Sequence, residues 1–263
     1  FKTYQATLVL GVTTDTYDLT GKVLARSEAT LDEATVRETA HAFVGAIDQR
    51  APAVSAIKQG GEPLHRRVRR GEDVEPPVRR VLVESLAIDR IEPESRSVTF
   101  TVVCSSGTYV RSLAHDWGQA LGAGAALSSL RRLAIGPHRV EGAIPTDDLL
   151  ERPIGSIPEW NERLADAGMT PEGALAFLPA LELDEAEAHS LSLGRAPSVR
   201  RALDAGLSPG APSLRLVSAT GRLLGVGALP EDASSVSVLD RPLEIRIVWA
   251  AAAERGTPAG APS

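Results

Sequence analysis

Ser97-Val98-Thr99-Phe100-Thr101-Val102-Val103-Cys104-Ser105-Ser106-Gly107-Thr108-Tyr109-Val110-Arg111 is the stretch whose reading decides the fold. Its first half, residues 97–103, is β-branched and aromatic with alternating character, which predicts a strand. Ser105-Ser106-Gly107 then interrupts the run with residues that favour turns. Beyond the turn, Tyr109, Leu113 and Trp117 recur at helical spacing with Val110 and Ala114 beside them, so residues 109–121 read as a helix. Arg111 falls off that apolar stripe, near the helix start, where the helix dipole slightly disfavours a cation. A structural purpose for it is therefore less automatic, although the pattern alone is also met by a solvated arginine.

Upstream, Tyr4 to Gly11 alternates as a strand with Tyr4, Ala6, Leu8 and Leu10 on one face. Tyr4 there either packs in the core with its hydroxyl satisfied or lines a pocket beside the sheet. Thr13 to Gly21 is dense in turn formers. Its Asp15 and Asp18 invite a metal or acid/base reading, but without further ligands turn chemistry is the simpler account. A helix is expected from Asp32, capped by Thr30 or Asp32, with Val36, Ala40, Phe43, Val44 and Ile47 as its stripe and an end near Ile47. Gln49 to Lys58, followed by Gly60-Gly61, reads as a loop, either a connector or one that approaches a ligand. Residues 64–70 are short and basic, and residues 78–88 are a second extended run.

Downstream, Leu121-Gly122-Ala123-Gly124 stops the helix. Residues 125–135 lead through Gly136-Pro137 to a strand expected at 140–144, and a short helix is expected from Asp147. Residues 1–150 read as one domain and 151–172 as a Pro/Gly-punctuated linking segment with some helix at 161–167. Residues 173–250 read as a small β domain, with a helix at 184–193 and strands at 214–217, 223–229 and 243–249 suggesting a little barrel. The small, Pro/Gly-rich tail at 251–263 is expected to be disordered.

At 263 residues and 43% hydrophobic the chain can bury a substantial core. No apolar run approaches the roughly 20 residues that span a bilayer, and no signal-peptide pattern is present, so the expectation is a cytoplasmic protein with no membrane role. The single cysteine, Cys104, excludes an internal disulfide and a cysteine-rich zinc site. A net charge of -6 argues weakly against nucleic-acid binding, but Arg66-Arg67-Val68-Arg69-Arg70 and Arg79-Arg80 gather positive charge locally. Such runs are solvated faces or phosphate contacts. P-loop, GxGxxG and HExxH spacings are all missing.

Four stretches in this order resemble the TruB family of bacterial tRNA pseudouridine synthases. They are Lys2-x-Tyr4 leading to Leu10-Gly11-x-x-Thr14-Asp15-Thr16-x-Asp18-x-x-Gly21; Gln49-x-x-Pro52-x-x-Ser55-Ala56-x-Lys58-x-x-Gly61; Ser106-Gly107-Thr108-Tyr109-Val110-Arg111-Ser112-Leu113-x-x-Asp116-x-Gly118-x-x-Leu121-Gly122; and Leu130-Arg131-Arg132. The resemblance covers residues 1 to about 145. It implies an α+β fold, the pseudouridine-synthase fold, with a largely antiparallel mixed sheet flanked by helices and a PUA-like RNA-binding β domain behind it. It also implies isomerisation of uridine-55 in the tRNA T-loop: an aspartate attacks the nucleotide, and the uracil is detached, turned and rejoined through carbon, with no cofactor and no metal. A base in a folded loop must be flipped out and stacked in a pocket. Tyr4 matches the tyrosine that packs on the base and is implicated in proton transfer, and Arg111 matches the arginine paired with the aspartate. Tyr109 and Leu130 match the pocket lining, and Lys58 a pocket or backbone contact. The implied partner is the T-arm of tRNA, bound by a monomer.

The family's nucleophile lies in a Gly-His-Thr-Gly-x-Leu-Asp-Pro motif before the Lys-x-Tyr strand, and nothing in these 263 residues matches it. Asp15, Asp18, Asp48 and Asp116 stand in other contexts. Phe1 in place of Met, with a strand opening at once, leads us to expect an N-terminally truncated chain, inactive as it stands. The alternative is a non-catalytic tRNA-binding or tRNA-folding protein on the same scaffold. After Lys58 the chain carries His65 and Val68-Arg69 where the family has a Tyr and an Ala-Arg pair, a difference compatible with clamping phosphates.

Overall fold

The computed structural model describes residues 1–28, 32–52, 58–59, 62–72, 74, 76–143, 145, 170–209, 213–230, 232–233, 235 and 237–249. The chain divides into two compact units, residues 1–143 and 144–263. In the first, the alternating runs become β1 (Lys2–Leu10), β2 (Val12–Thr14) and β3 (Val23–Arg26), followed by α1 (Glu33–His41) and β4 (Gly45–Arg50). Next come β5 (Lys58–Gln59), β6 (Glu62–Pro63), α2 (Leu64–Arg69), β7 (Val78–Glu92), β8 (Ser97–Cys104) and α3 (Val110–Ala120). The unit closes with β9 (Ala125–Ile135) and β10 (His138–Arg139). Six of these strands form one sheet in the order β10-β9-β1-β8-β7-β4, and every neighbouring pair in it is antiparallel.

Register fixes which side chains meet. Tyr4, Ala6 and Leu8 lie opposite Val102, Phe100 and Val98, so the even residues of β1 and β8 share a face. That face buries Ala6, Leu8, Val98, Phe100 and Val102 against Val110, Leu113, Ala114 and Trp117 of α3. Phe100 meets Trp117 edge-on, with ring centroids 5.5 Å apart. Gly118 lets α3 lie this close to the sheet, because a Cβ there would fall 2.3 Å from the Ala125 amide nitrogen. The helix stops in Gly122 and Gly124, both left-handed (φ 70° and 69°).

Three sequence expectations change. The helix expected to reach Ile47 ends at His41. Asp32 caps its start, accepting from the Thr35 amide, but Gly45 adopts φ 103° and breaks the helix, and residues 45–50 pair with β7 at the sheet edge instead. Gly45, Ile47 and Gln49 point inward, a period of two that a four-residue helical stripe resembles over so short a span. The strand expected at 140–144 is not seen among its described residues, 140–143. Val140–Gly142 is a 3-10 turn, since Glu141 and Gly142 favour extended structure poorly. Residues 125–135, left unassigned by the pattern, are β9, with a bulge between the pairs Thr7–Ser129 and Leu8–Leu127. The helices expected at 147–150 and 161–167, and the tail at 251–263, lie outside the described residues.

The second unit contains α4 (Pro171–Ala174), β11 (Ala180–Leu183), α5 (Glu185–Ser192), α6 (Val199–Asp204), β12 (Leu214–Ser218), β13 (Leu223–Ala228) and β14 (Glu244–Val248). Its strands form one sheet, ordered β11-β12-β13-β14, with β11 parallel to β12 and the rest antiparallel. Where the short strands suggested a barrel, the described residues form this four-stranded sheet over a core of Leu181, Leu183, Leu191, Val199, Leu214 and Leu216. Asp184 and Glu187 make a reciprocal capping box at α5. Among the described residues no helix is long and apolar enough to cross a membrane. Cys104 is a buried free thiol whose pKa burial pushes up, which makes it unreactive.

Candidate active site

The corner between β8 and α3 is built by hydrogen bonds rather than by a helix-capping side chain. Ser105 donates its amide to the Leu82 carbonyl (2.8 Å), and its hydroxyl accepts from the Leu82 amide (3.0 Å), so the turn is fixed to β7. Gly107 supplies the left-handed step at φ 88°. Tyr109, at the cap position of α3, is then held by Gln49 at both of its backbone groups. Its amide donates to Gln49 Oε1 at 2.7 Å, and its carbonyl accepts from Gln49 Nε2 at 3.0 Å. Gln49 is 2% exposed. Ser112 adds a second tie, donating its hydroxyl to the Arg50 carbonyl at 2.8 Å.

Gln49 is thus a site-building residue that the sequence reading quoted inside a motif without assigning a role. The usable signal was an amide side chain at an inward position of a strand. Gln49→Leu should leave the Tyr109 amide unpaired, while the Tyr109 carbonyl keeps its bond from the Leu113 amide, and should destabilise the protein by about 1–3 kcal/mol. A urea melt of the variant measures this. An unchanged midpoint would mean that the clamp carries no weight.

Arg111, in the first turn of α3, is partly buried, and its Nη1 donates to the Thr16 carbonyl at 3.0 Å. Thr16 belongs to the loop after β2, which is braced internally. Fully buried Thr14 donates its hydroxyl to the Asp18 carbonyl at 2.8 Å. The Asp15 carboxylate accepts the Lys22 amide at 2.8 Å, and that of Asp18 accepts from the Thr20 amide and hydroxyl at 2.9 and 2.7 Å. Both carboxylates are therefore engaged in turn bonds, as the turn reading has it. Among the described residues no group of three His, Cys, Asp or Glu could hold a metal. The loop is also stitched to β9, where the Leu127 amide donates to the Tyr17 carbonyl and the Leu19 amide to the Leu127 carbonyl.

Tyr4 lies on the core face of β1 at the rim of the buried cluster, opposite Val102 on one side and Arg132 on the other. Leu130 lies opposite Ala6, so Tyr4 and Leu130 share that sheet face, and Leu130 is 47% exposed there. A large apolar side chain left open beside a partly exposed tyrosine gives this end of the face an apolar wall. Tyr109 is half-buried at the start of α3. Lys58 falls in β5, opposite Pro63, while its side chain lies outside the described residues.

Two neighbours of Arg111 were not singled out by sequence. Tyr17 stacks on His115, with centroids 3.9 Å apart and 14° between planes. Burial lowers the His115 pKa and raises that of Asp116. The Tyr17 phenol is raised by burial and then by Asp116, with Arg50 opposing.

The basic stretch 66–70 is less available than its charge suggests. Arg67 pairs with Glu72 at 2.7 Å, and Arg70 bridges Glu62 and Glu72. Hydrogen bonds from Arg70 to Glu62, and from Arg67 and Arg70 to Glu72, hold both carboxyls below their ordinary range. The side chains of His65, Val68 and Arg69 lie outside what the structure describes. Arg79, Arg80, Arg131 and Arg132 are exposed.

Comparison with known proteins gives the lineage of the chain. The N-terminal-domain model of the TruB family pseudouridylate synthases matches residues 1–110. The tRNA pseudouridine synthase B of Geobacter sulfurreducens is 40% identical over 213 residues, covering 81% of this chain and 67% of that protein. Its counterpart in Xanthomonas euvesicatoria pv. vesicatoria is 41% identical over 233 residues, covering 84% of this chain and 72% of that protein. This chain therefore spans about two thirds to three quarters of the length of these relatives. Among solved structures, a Cbf5-Nop10-Gar1 complex matches with a TM-score of 0.60 at 22% identity, covering 94% of this chain and 66% of that one. An H/ACA RNP bound to a substrate RNA containing 2'-deoxyuridine matches with a TM-score of 0.56 at 20% identity, covering 94% and 65%. These structural likenesses carry the α+β pseudouridine-synthase fold, and the sequence relatives carry the lineage. The chain belongs to the TruB family of pseudouridylate synthases.

Proposed function

We propose that the chain supplies the arginine and the base-packing wall of a tRNA pseudouridine synthase acting on uridine-55 of the T-loop. The observation that carries this is Arg111, delivered by the clamped start of α3 and steadied by the Thr16 carbonyl. A guanidinium held in place beside a carboxylate keeps that carboxylate ionised and oriented for attack. The carboxylate itself is not among the four aspartates weighed. Asp15 and Asp18 are engaged in turn bonds, Asp48 lies exposed within 3.9 Å of Arg80, and burial pushes Asp116 towards its protonated form. The resemblance places the nucleophile in the family's aspartate motif, which nothing in these 263 residues matches.

In this reading Tyr4 packs on the flipped uracil and takes part in proton transfer, and Tyr109 and Leu130 wall the pocket. Lys58 contacts the pocket or the RNA backbone. The reaction breaks a C–N glycosidic bond and forms a C–C bond within one nucleotide, so no redox partner or cofactor is required. Exposed Arg131 and Arg132 meet T-arm phosphates, which set register rather than sequence. The second unit serves as a PUA-like RNA-binding domain, and the protein works as a cytoplasmic monomer.

The RNA part of this reading is tested by fluorescence anisotropy with a labelled T-arm hairpin and an unstructured RNA of equal length. The hairpin should bind more tightly, with an affinity that falls steeply as salt rises, because phosphate contacts release counterions. Equal affinity for both RNAs, or affinity indifferent to salt, would reject it.

A further inference from the structure

Tyr17 holds φ 62°, a left-handed backbone that tyrosine adopts only where its surroundings impose it. Three contacts do so. Its ring lies flat on His115, its carbonyl accepts from the Leu127 amide of β9 at 2.9 Å, and its amide donates to the Thr14 carbonyl at 3.3 Å. The amide of Tyr17 and the carbonyl of Thr16 belong to one planar peptide unit, so fixing the first aims the second. That second group is the carbonyl that receives Arg111. His115 lies four residues beyond Arg111, on the same face of α3.

We propose that Tyr17 and His115 are positioning residues, whose ring stack orients the Thr16–Tyr17 peptide and thereby sets the guanidinium of Arg111 for its carboxylate partner. The catalytic consequence rests on the role given to Arg111 above, whereas the geometric one does not. The imidazole suits this use. Its Nδ1 is buried with no hydrogen-bond partner among the described residues, its ring lies flat against Tyr17, and burial lowers its pKa.

The geometric part is tested on this chain by the arginine side-chain Nε–Hε NMR spectrum. Tyr17→Asn removes the ring but tolerates the left-handed backbone, whereas Tyr17→Phe keeps the ring. The Arg111 signal should be sharp and slowly exchanging in the wild type and in Tyr17→Phe, and averaged into the exposed arginines in Tyr17→Asn and His115→Ala. An Arg111 signal unmoved by Tyr17→Asn overturns the proposal.

The catalytic part is read in protein that also carries the aspartate motif. There Tyr17→Asn should lower kcat roughly 10- to 100-fold with KM for tRNA unchanged, as a small misplacement of a reacting group does. Added to Arg111→Ala it should cost nothing more, and an equal further loss in that background overturns the coupling. If Arg111→Ala alone leaves turnover intact, the functional reading of Arg111 falls, and the NMR comparison still decides the positioning by itself.

Discussion

Arg111→Ala is expected to remove nearly all turnover from protein carrying the aspartate motif while leaving its affinity for tRNA close to wild type. The side chain is partly buried and is held by a backbone carbonyl rather than extended into solvent. In the role proposed for it, its loss strips a carboxylate of the charge that keeps it ionised and fixed, and removing one preorganised electrostatic partner costs roughly 10²- to 10³-fold in kcat. Arg111→Lys should recover little, since an ammonium lacks the planar fork that can hold the Thr16 carbonyl and a carboxylate together. Single-turnover release of tritium from carbon-5-labelled uridine reads kcat, and filter binding reads affinity. An unchanged rate, or a loss confined to affinity, would remove Arg111 from the chemistry.

Trp117→Ala should have the largest effect on folding. Trp117 is 0% exposed at the centre of the core, edge-on to Phe100 and 6.3 Å from the ring of Phe43. Deleting a buried tryptophan costs about 3–5 kcal/mol, much of the roughly 5–15 kcal/mol by which a domain is stable. The urea midpoint should therefore fall steeply and the variant should become prone to aggregate. Trp117→Phe should lose far less. The indole Nε1 has no hydrogen-bond partner among the described residues, so phenylalanine sheds an unsatisfied buried donor along with some packing area. Equal losses in the two variants would contradict this account of the core.

The sequence made the strand–turn–helix at residues 97–121 legible because three periodic signals agreed there: alternation, a turn cluster, and a four-residue stripe that the structure buries as Val110, Leu113, Ala114 and Trp117. It misread residues 42–47 because Phe43, Val44 and Ile47 satisfy a helical stripe and a strand about equally, and the left-handed Gly45 decides between them. Residues 125–135 resisted assignment because the bulge at Ser128 and the exposure of Leu130 to Arg132 disturb the alternation.

At the proposed site, Tyr4, Tyr109, Leu130 and Arg111 were singled out by motif, since periodicity can say which face a residue shares but not what it is for. Gln49 and the Tyr17–His115 stack were missed because their meaning lies in partners 60 and 98 residues away. The basic run at 66–70 was legible only as charge. Its counter-charges, Glu62 and Glu72, flank it in sequence, yet only the fold of the short α2 segment shows them paired with Arg67 and Arg70.

The most direct test is nucleotide analysis of a T-arm hairpin after incubation with the 263-residue chain and, separately, with the same chain joined to a segment bearing the family's aspartate motif. Pseudouridine is expected at position 55 only with the joined protein, and not when Arg111 is also replaced by alanine. Conversion by the 263-residue chain alone, or by the joined protein regardless of Arg111, would contradict the assignment of this chain as the arginine and base-packing part of the site.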